Sequence, residues 1–161
     1  MPPKKQPRSA GNKVVASNRR ARHDYDVLES VEAGIVLRGG EVKSLRAAEV
    51  QLRDAHARVH DGECWLHGVH IAPYEHANLF DRPDPDRARK LLLHAKEIGR
   101  LGARVAQDGL TLVPLSIYFN ADGKAKVDLG LCRGRKTYDK RHAIAKRDLE
   151  REAAREQRAR R

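Results

Sequence analysis

From Tyr25 onward the chain alternates between short apolar-periodic segments and turn residues. Val27, Val31, Ile35 and Val36 within Tyr25–Leu37 predict one long strand, bent or bulged near Gly34. Gly39-Gly40 breaks it. In Glu41–Glu49, Val42, Leu45 and Ala48 or Glu49 recur at helical spacing, which predicts a short helix. Leu52–Val59 and Cys64–Ile71 flank His60-Asp61-Gly62-Glu63, and Asp-Gly is a strong hairpin signal. Residues 72–89 carry three prolines and no period, so they predict a long loop of a kind that is either functional or mobile. Ile98, Leu101 and Val105 share one face of a predicted helix over His94–Asp108, and Gly109 is its stop. Leu110–Phe119 and Lys124–Leu131 form a second hairpin around Asn120–Gly123. In its return strand Ala125, Val127 and Leu129 alternate with Lys124, Lys126 and Asp128, a half-buried antiparallel pattern. Pro114 demands an edge position or a bulge.

This order contains no strand–helix–strand repeat, so a parallel sheet is not expected. The fold class is mainly β with short helices. Five or six short antiparallel strands with inserted helices fit a small, partly open barrel of the oligonucleotide-binding kind.

Charge divides the chain further. Residues 1–22 hold seven Lys/Arg and no acid, giving +7; residues 133–161 hold twelve Lys/Arg and five acids, giving 12 − 5 = +7. With a net charge of +11, residues 23–132 carry 11 − 14 = −3. The expected organisation is a mobile basic arm (1–22), one folded domain (23–132) and a basic tail (133–161). Within the tail, Lys146/Glu150 are opposite at i,i+4, but Arg147/Arg151, Arg151/Arg155 and Asp148/Glu152 are alike, so isolated helicity is marginal. Basic arms around an acidic body point to a phosphate-bearing partner, nucleic acid first. Anionic membrane ranks second, because the tail lacks Trp, Phe and the Leu-rich face that would enter lipid. No apolar run approaches a bilayer's thickness and MPPKKQPRSAG lacks a signal-peptide core, so a soluble, cytoplasmic chain is expected.

Enzyme chemistry finds no foothold. Gly39-Gly40 lacks the Lys-Ser/Thr of a phosphate loop, and nothing marks Ser44, Cys64 or Cys132 as a nucleophile. Cys64 and Cys132 read as ordinary thiols. His56, His60, His67 and His70 are near one another in sequence, but strand alternation does not gather three or four ligands, so no metal is expected. No catalytic residue and no cofactor follow.

Recognition chemistry is better represented. In Asn18–Tyr25, Arg20 and Arg22 offer bidentate phosphate contacts, while His23 and Tyr25 offer flat faces to an unpaired base; a solvated arm with Tyr25 in the core is the alternative. Glu41, Lys43 and Arg46 share the charged face of the short helix, whose Val42 and Leu45 plug one barrel end. Leu91 and Leu93 should enter the core, leaving Arg89 and Lys90 to meet phosphate.

Five blocks, NRRARHDY, GGEVKSLRAAE, RKLLLH, GLTLVPLSIYF and GRKTYDKR, closely resemble the SmpB (SsrA-binding protein) family, in the family's order over residues 16–147. The resemblance implies an oligonucleotide-binding-like barrel of six antiparallel strands with three short helices. It implies a bacterial, non-catalytic partner of transfer-messenger RNA (tmRNA) in trans-translation, the rescue of stalled ribosomes. Such a protein holds the tRNA-like domain near its elbow and D-loop, acts as a monomer, and meets alanyl-tmRNA together with elongation factor Tu. A general ribosome-associated RNA-binding protein is the alternative. By motif, Asn18, His23, Glu41, Lys43, Arg46, Lys90 and Leu92 match the family's RNA-binding surface, joined by Arg20 and Arg22; Lys124 and Lys126 are added on charge alone. The Glu41 carboxylate can accept from a base amino group or ribose hydroxyl, or can orient a neighbouring Arg. Gly134, Lys136, Asp139, Lys140 and Arg141 match a GKKxxDKR-type segment, with Arg135 in place of a common Lys and Tyr138 between. The resemblance implies that this tail enters the vacant decoding centre and empty mRNA channel as a helix. AAREQRARR lacks the bulky apolar residues of some family tails, which speaks against a late apolar anchor.

Overall fold

The computed structural model describes residues 11–76, 82–135 and 137–159, with backbone alone over 137–143. The elements run β1 (Lys13–Ser17), α1 (Arg19–Asp24), β2 (Tyr25–Ile35), α2 (Gly39–Arg46), β3 (Val50–Gln51), β4 (His56–His60) and β5 (Glu63–His67). They continue as β6 (His70–Ile71), β7 (Arg89–Leu92), α3 (Ala95–Asp108), β8 (Thr111–Phe119), β9 (Ala125–Gly134) and α4 (Thr137–Ala159). Six strands pair antiparallel in the order β8-β4-β5-β7-β2-β9, and β9 pairs back onto β8 to close a ring. β1 lies against β8 outside the ring, and β3 pairs with β6 in a separate two-stranded sheet.

Period-two alternation fills the ring. Ala33, Ala57, Cys64, Leu66, Leu91, Leu112, Ile117, Val127, Leu129 and Leu131 are buried and share one core. α2 contributes Leu45 and α3 contributes Ile98 and Leu101 to the same core, so both helices serve as its lids. Gly109 ends α3 at φ 63, the left-handed conformation that favours glycine. Asp61 and Gly62 both have positive φ, at 50 and 72, which is what the two-residue hairpin between β4 and β5 requires.

Three local expectations are corrected. The long strand β2 is bulged between Val27 and Glu29 rather than near Gly34. Gly34 is paired on both sides, with Lys126 and with Leu92, and a Cβ there would sit 3.2 Å from the Leu92 Cβ. It permits close strand approach rather than a bend. The two predicted strands around the Asp-Gly turn are each split: Asp54 turns at φ 61 between β3 and β4, and Gly68 at φ 77 separates β5 from β6. Residues 13–22, expected to be a mobile arm, form β1 and most of α1. Pro114 meets its requirement through a bulge. The register with β9 shifts between Pro114 and Ser116, where the opposite edge of β8 passes from β4 to β1.

The tail also contains an element. α4 spans 23 residues, and every described side chain from Ile144 to Ala159 is exposed. Among the described residues no helix is long and apolar enough to cross a membrane.

Candidate nucleic-acid interface

α1 is a six-residue basic helix whose position is set by one residue, Asn18. The Asn18 side-chain oxygen accepts from the Ala21 N–H at 3.2 Å, capping the helix. Its Nδ2 donates to the Leu52 carbonyl at 3.3 Å and the Pro114 carbonyl at 3.1 Å, tying α1 to the β3–β4 connection and to β8. Ala21 is buried against Val113, Leu115 and Cys132. With that face covered, Arg19, Arg20 and Arg22 project into solvent. His23 is half-buried, with Nδ1 3.1 Å from an Asp24 carboxylate oxygen. Asn18 therefore shapes the basic ridge from beneath, with its own polar atoms engaged internally.

The ridge lies between two openings. A groove of about 650 Å³ is lined by Val15 to Arg20 and Val50 to Arg53, so Arg19, Arg20 and Arg53 face it without an acidic residue in its wall. A cleft of about 380 Å³ is lined by Arg19, Arg22, His23, Arg135, Lys146, Arg147 and Glu150. Arg135 is fixed at the entrance to the tail: its N–H donates to the Asp24 carbonyl at 2.9 Å and its Nε to Asp26 at 2.8 Å. Both walls suit a polyanion, because six guanidinium groups, Arg19, Arg20, Arg22, Arg53, Arg135 and Arg147, line the two openings, and among the described residues only Arg135 is held in an ion pair.

α2 presents Lys43 and Arg46 on its exposed side. The Lys43 ammonium lies 5.1 Å from the Tyr74 ring centre, and the Arg46 guanidinium 5.0 Å from that of Phe119. Glu41, one turn earlier, is different. Its side chain is 3 % exposed and its carboxylate accepts from the Arg38 N–H at 2.9 Å, from Arg87, and from Arg89 Nε at 2.8 Å. Burial pushes this carboxyl up, but the hydrogen bonds from Arg87, the Arg38 N–H and Arg89, with the Arg89 charge, outweigh it and hold the group below its ordinary value. Arg89 is fully buried and also donates to the carbonyls of Val69 at 2.5 Å and Pro85 at 2.8 Å. One expectation changes here, and of the two roles left open for Glu41 the orientation of a neighbouring Arg is the one that matches the geometry. Arg89 does not reach solvent phosphate, and the Glu41 carboxylate is already occupied by three internal partners. The cluster pins α2 to the 82–89 segment and to β7.

The remaining residues fall on the outer face of the ring. Lys90 is 3.0 Å from Glu63, and Leu92 is 54 % exposed beside Gly34. Lys126 is half-buried opposite Gly34 and Tyr118, while Lys124 is exposed at the hairpin turn. Gly134 closes β9 opposite Tyr25. Lys136 lies outside the described residues, and of Tyr138, Asp139, Lys140 and Arg141 only the helical backbone is described. Cys64 and Cys132 are buried, and burial pushes their thiols up to about 11 and about 12. The histidines are dispersed: His56 stacks on His67, His60 pairs with Asp61 and His70 with Asp86. Sequence reasoning passed over Arg53 and Arg87. Arg53 carried no motif, and the partner of Arg87 lies 46 residues away.

With this geometry in view, residues 15–159 match the family model described as SmpB protein. The chain belongs to the SmpB family. An SsrA-binding protein of Frankia casuarinae is 54 % identical over 149 residues, covering 92 % of each chain. One from Desulforudis audaxviator is 54 % identical over 143 residues, covering 89 % of this chain and 92 % of the relative. A solved SmpB structure, described as "tmRNA-SmpB: a journey to the center of the bacterial ribosome", is 54 % identical with a TM-score of 0.65, covering 80 % of this chain and 93 % of the other. The five sequence blocks fall at defined places in the fold: NRRARHDY holds the α1 ridge, GGEVKSLRAAE and RKLLLH share the Glu41–Arg89 cluster, GLTLVPLSIYF forms β8 of the ring, and GRKTYDKR runs from the end of β9 into α4.

Proposed function

We propose that this chain is an RNA-binding adaptor that holds the tRNA-like domain of tmRNA and delivers it to stalled ribosomes for trans-translation. Membership of the SmpB family over nearly the whole chain carries the reading. The basic ridge of α1, between two openings lined by arginine, supports it physically. Arg20, Arg22 and His23 on α1, Lys43 and Arg46 on α2, and Lys90, Leu92, Lys124 and Lys126 on the ring are the proposed RNA contacts; Asn18 and Glu41 position them. The tail from Gly134 through Arg141 is the ribosome-directed part: Arg135, Lys136, Tyr138, Asp139, Lys140 and Arg141 lead α4 into the decoding centre and empty mRNA channel. α4 has too little apolar surface to hold its shape against the body, so ribosomal RNA completes its ordering. The protein works without catalysis, as a monomer in the cytoplasm, on alanyl-tmRNA accompanied by elongation factor Tu.

Sequencing the RNA that co-purifies with the chain tests this. One dominant tmRNA species is expected; bulk ribosomal RNA without that enrichment would make it a general ribosomal RNA-binding protein instead.

A further inference from the structure

The outer face of β4, β5 and β7 carries an arrangement that neither the α1 ridge nor the tail uses. In these strands the inward positions Ala57, Cys64, Leu66, Arg89 and Leu91 are buried, so the alternate positions face out. The pairing Arg58↔Trp65↔Lys90 sets three outward side chains in one cross-strand row. Val36 extends the row, since its N–H donates to the Lys90 carbonyl at 3.0 Å. In the adjacent row His56 and His67 stack with ring centres 5.5 Å apart and 18° between planes. Val36, 45 % exposed, and Leu92, 54 % exposed, border the same patch.

Trp65 is the single tryptophan of the chain, and it is half-exposed on a sheet face with a cation on each side. Arg58 is exposed and forms no ion pair among the described residues; Lys90 shares the exposed carboxylate of Glu63. An indole left partly in water, rimmed by flat rings and flanked by cations at strand spacing, has the chemistry of a base-stacking platform. Burial, with His56 and Arg58 nearby, pushes His67 down, so at neutral pH its ring is an uncharged flat surface.

We propose that this face is a second RNA-contact surface: an unpaired base stacks on Trp65 while Arg58 and Lys90 meet the flanking phosphates. The inference rests on the RNA-binding reading and extends it to a side of the ring distant in sequence from α1. Lys90 and Leu92 are then the edge of a platform whose centre is Trp65.

The test uses the full chain and its own tryptophan emission, titrated with a tmRNA transcript and, separately, with small-subunit ribosomal RNA; labelled-RNA retention is read in the same samples. Emission should be quenched along the same saturation curve as retention for at least one RNA, and the two arms identify which. Trp65→Leu should then weaken retention of that RNA by about 5- to 150-fold, the range of one lost base stack. Trp65→Phe, which keeps a flat ring, should recover much of the loss. Arg58→Ala, an exposed change that leaves folding intact, should lower the salt slope by about 0.7. Retention of both RNAs with unchanged emission and unaltered variants would overturn the second surface and leave the adaptor reading standing. Quenching by RNA-free ribosomal proteins alone would make the face a protein contact and also overturn it. Failure of the unmodified chain to retain either RNA would remove the adaptor reading, and this proposal with it.

Discussion

α1 and α4 are both basic helices, and they are held in opposite ways. α1 has six residues, too few to be helical alone, yet the Asn18 cap and buried Ala21 fix it against three elements of the body. α4 has 23 residues and not one buried side chain among those described. Ile144 and Leu149, 43 % and 67 % exposed, are its large apolar groups without cover. Length does not make a helix secure; burial and capping do. The short helix is held by the body, whereas the long one has no buried side chain among the described residues to hold it.

The same contrast separates ring from tail, and the sharpest way to break it is through Glu41. Glu41→Ala leaves fully buried Arg89 without its carboxylate and should cost about 3–5 kcal/mol in urea unfolding, because an uncompensated buried charge is left behind. An equally large loss of α4 helicity in the folded protein would show that tail and ring are one unit. The cluster also sets a pH dependence. Glu41 is held below its ordinary value of 4.5 in the folded chain, so its contribution is complete above about 4.5 and is lost as pH falls through the lower folded value. Glu41→Gln should flatten that acid limb of the stability curve.

Asn18→Ala comes next. It removes a helix cap and the donor shared by the Leu52 and Pro114 carbonyls, and should cost about 2 kcal/mol. Amide exchange at Ala21 and Arg22 should speed up more than exchange in β9. The smallest effect belongs to the tail. Ala153→Gly should lower α4 helicity, a penalty of about 1 kcal/mol within the helix, while the melting of the ring stays within about 0.5 kcal/mol of the parent.

The sequence made the ring legible and the anchors opaque, and both outcomes have physical causes. Alternation in Ala125–Leu131, the Asp61-Gly62 turn and the Gly109 stop are local signals, and each appears where local chemistry puts it. α1 was missed because Arg-Arg-Ala-Arg-His-Asp has no apolar period; its helix exists because Asn18 reaches residues 34 and 96 positions away. Asn18 three residues before small Ala21 was the available cue. Glu41 was visible as a functional acid, but its two arginine partners lie 46 and 48 residues downstream, so nothing local could show that its carboxylate is held by guanidinium groups. Leu92 was expected on the binding surface, and alternation against buried Leu91 leaves it exposed on the outer face.

The central claim is that body and tail divide the work, the first binding tmRNA and the second acting on the ribosome. Its most direct test is the triple variant Asp139→Ala, Lys140→Ala, Arg141→Ala, assayed for tmRNA affinity and for peptide tagging on stalled ribosomes. The account predicts affinity within about threefold of the parent, under 0.7 kcal/mol, together with abolished tagging. Loss of tmRNA affinity as deep as the loss of tagging would contradict it.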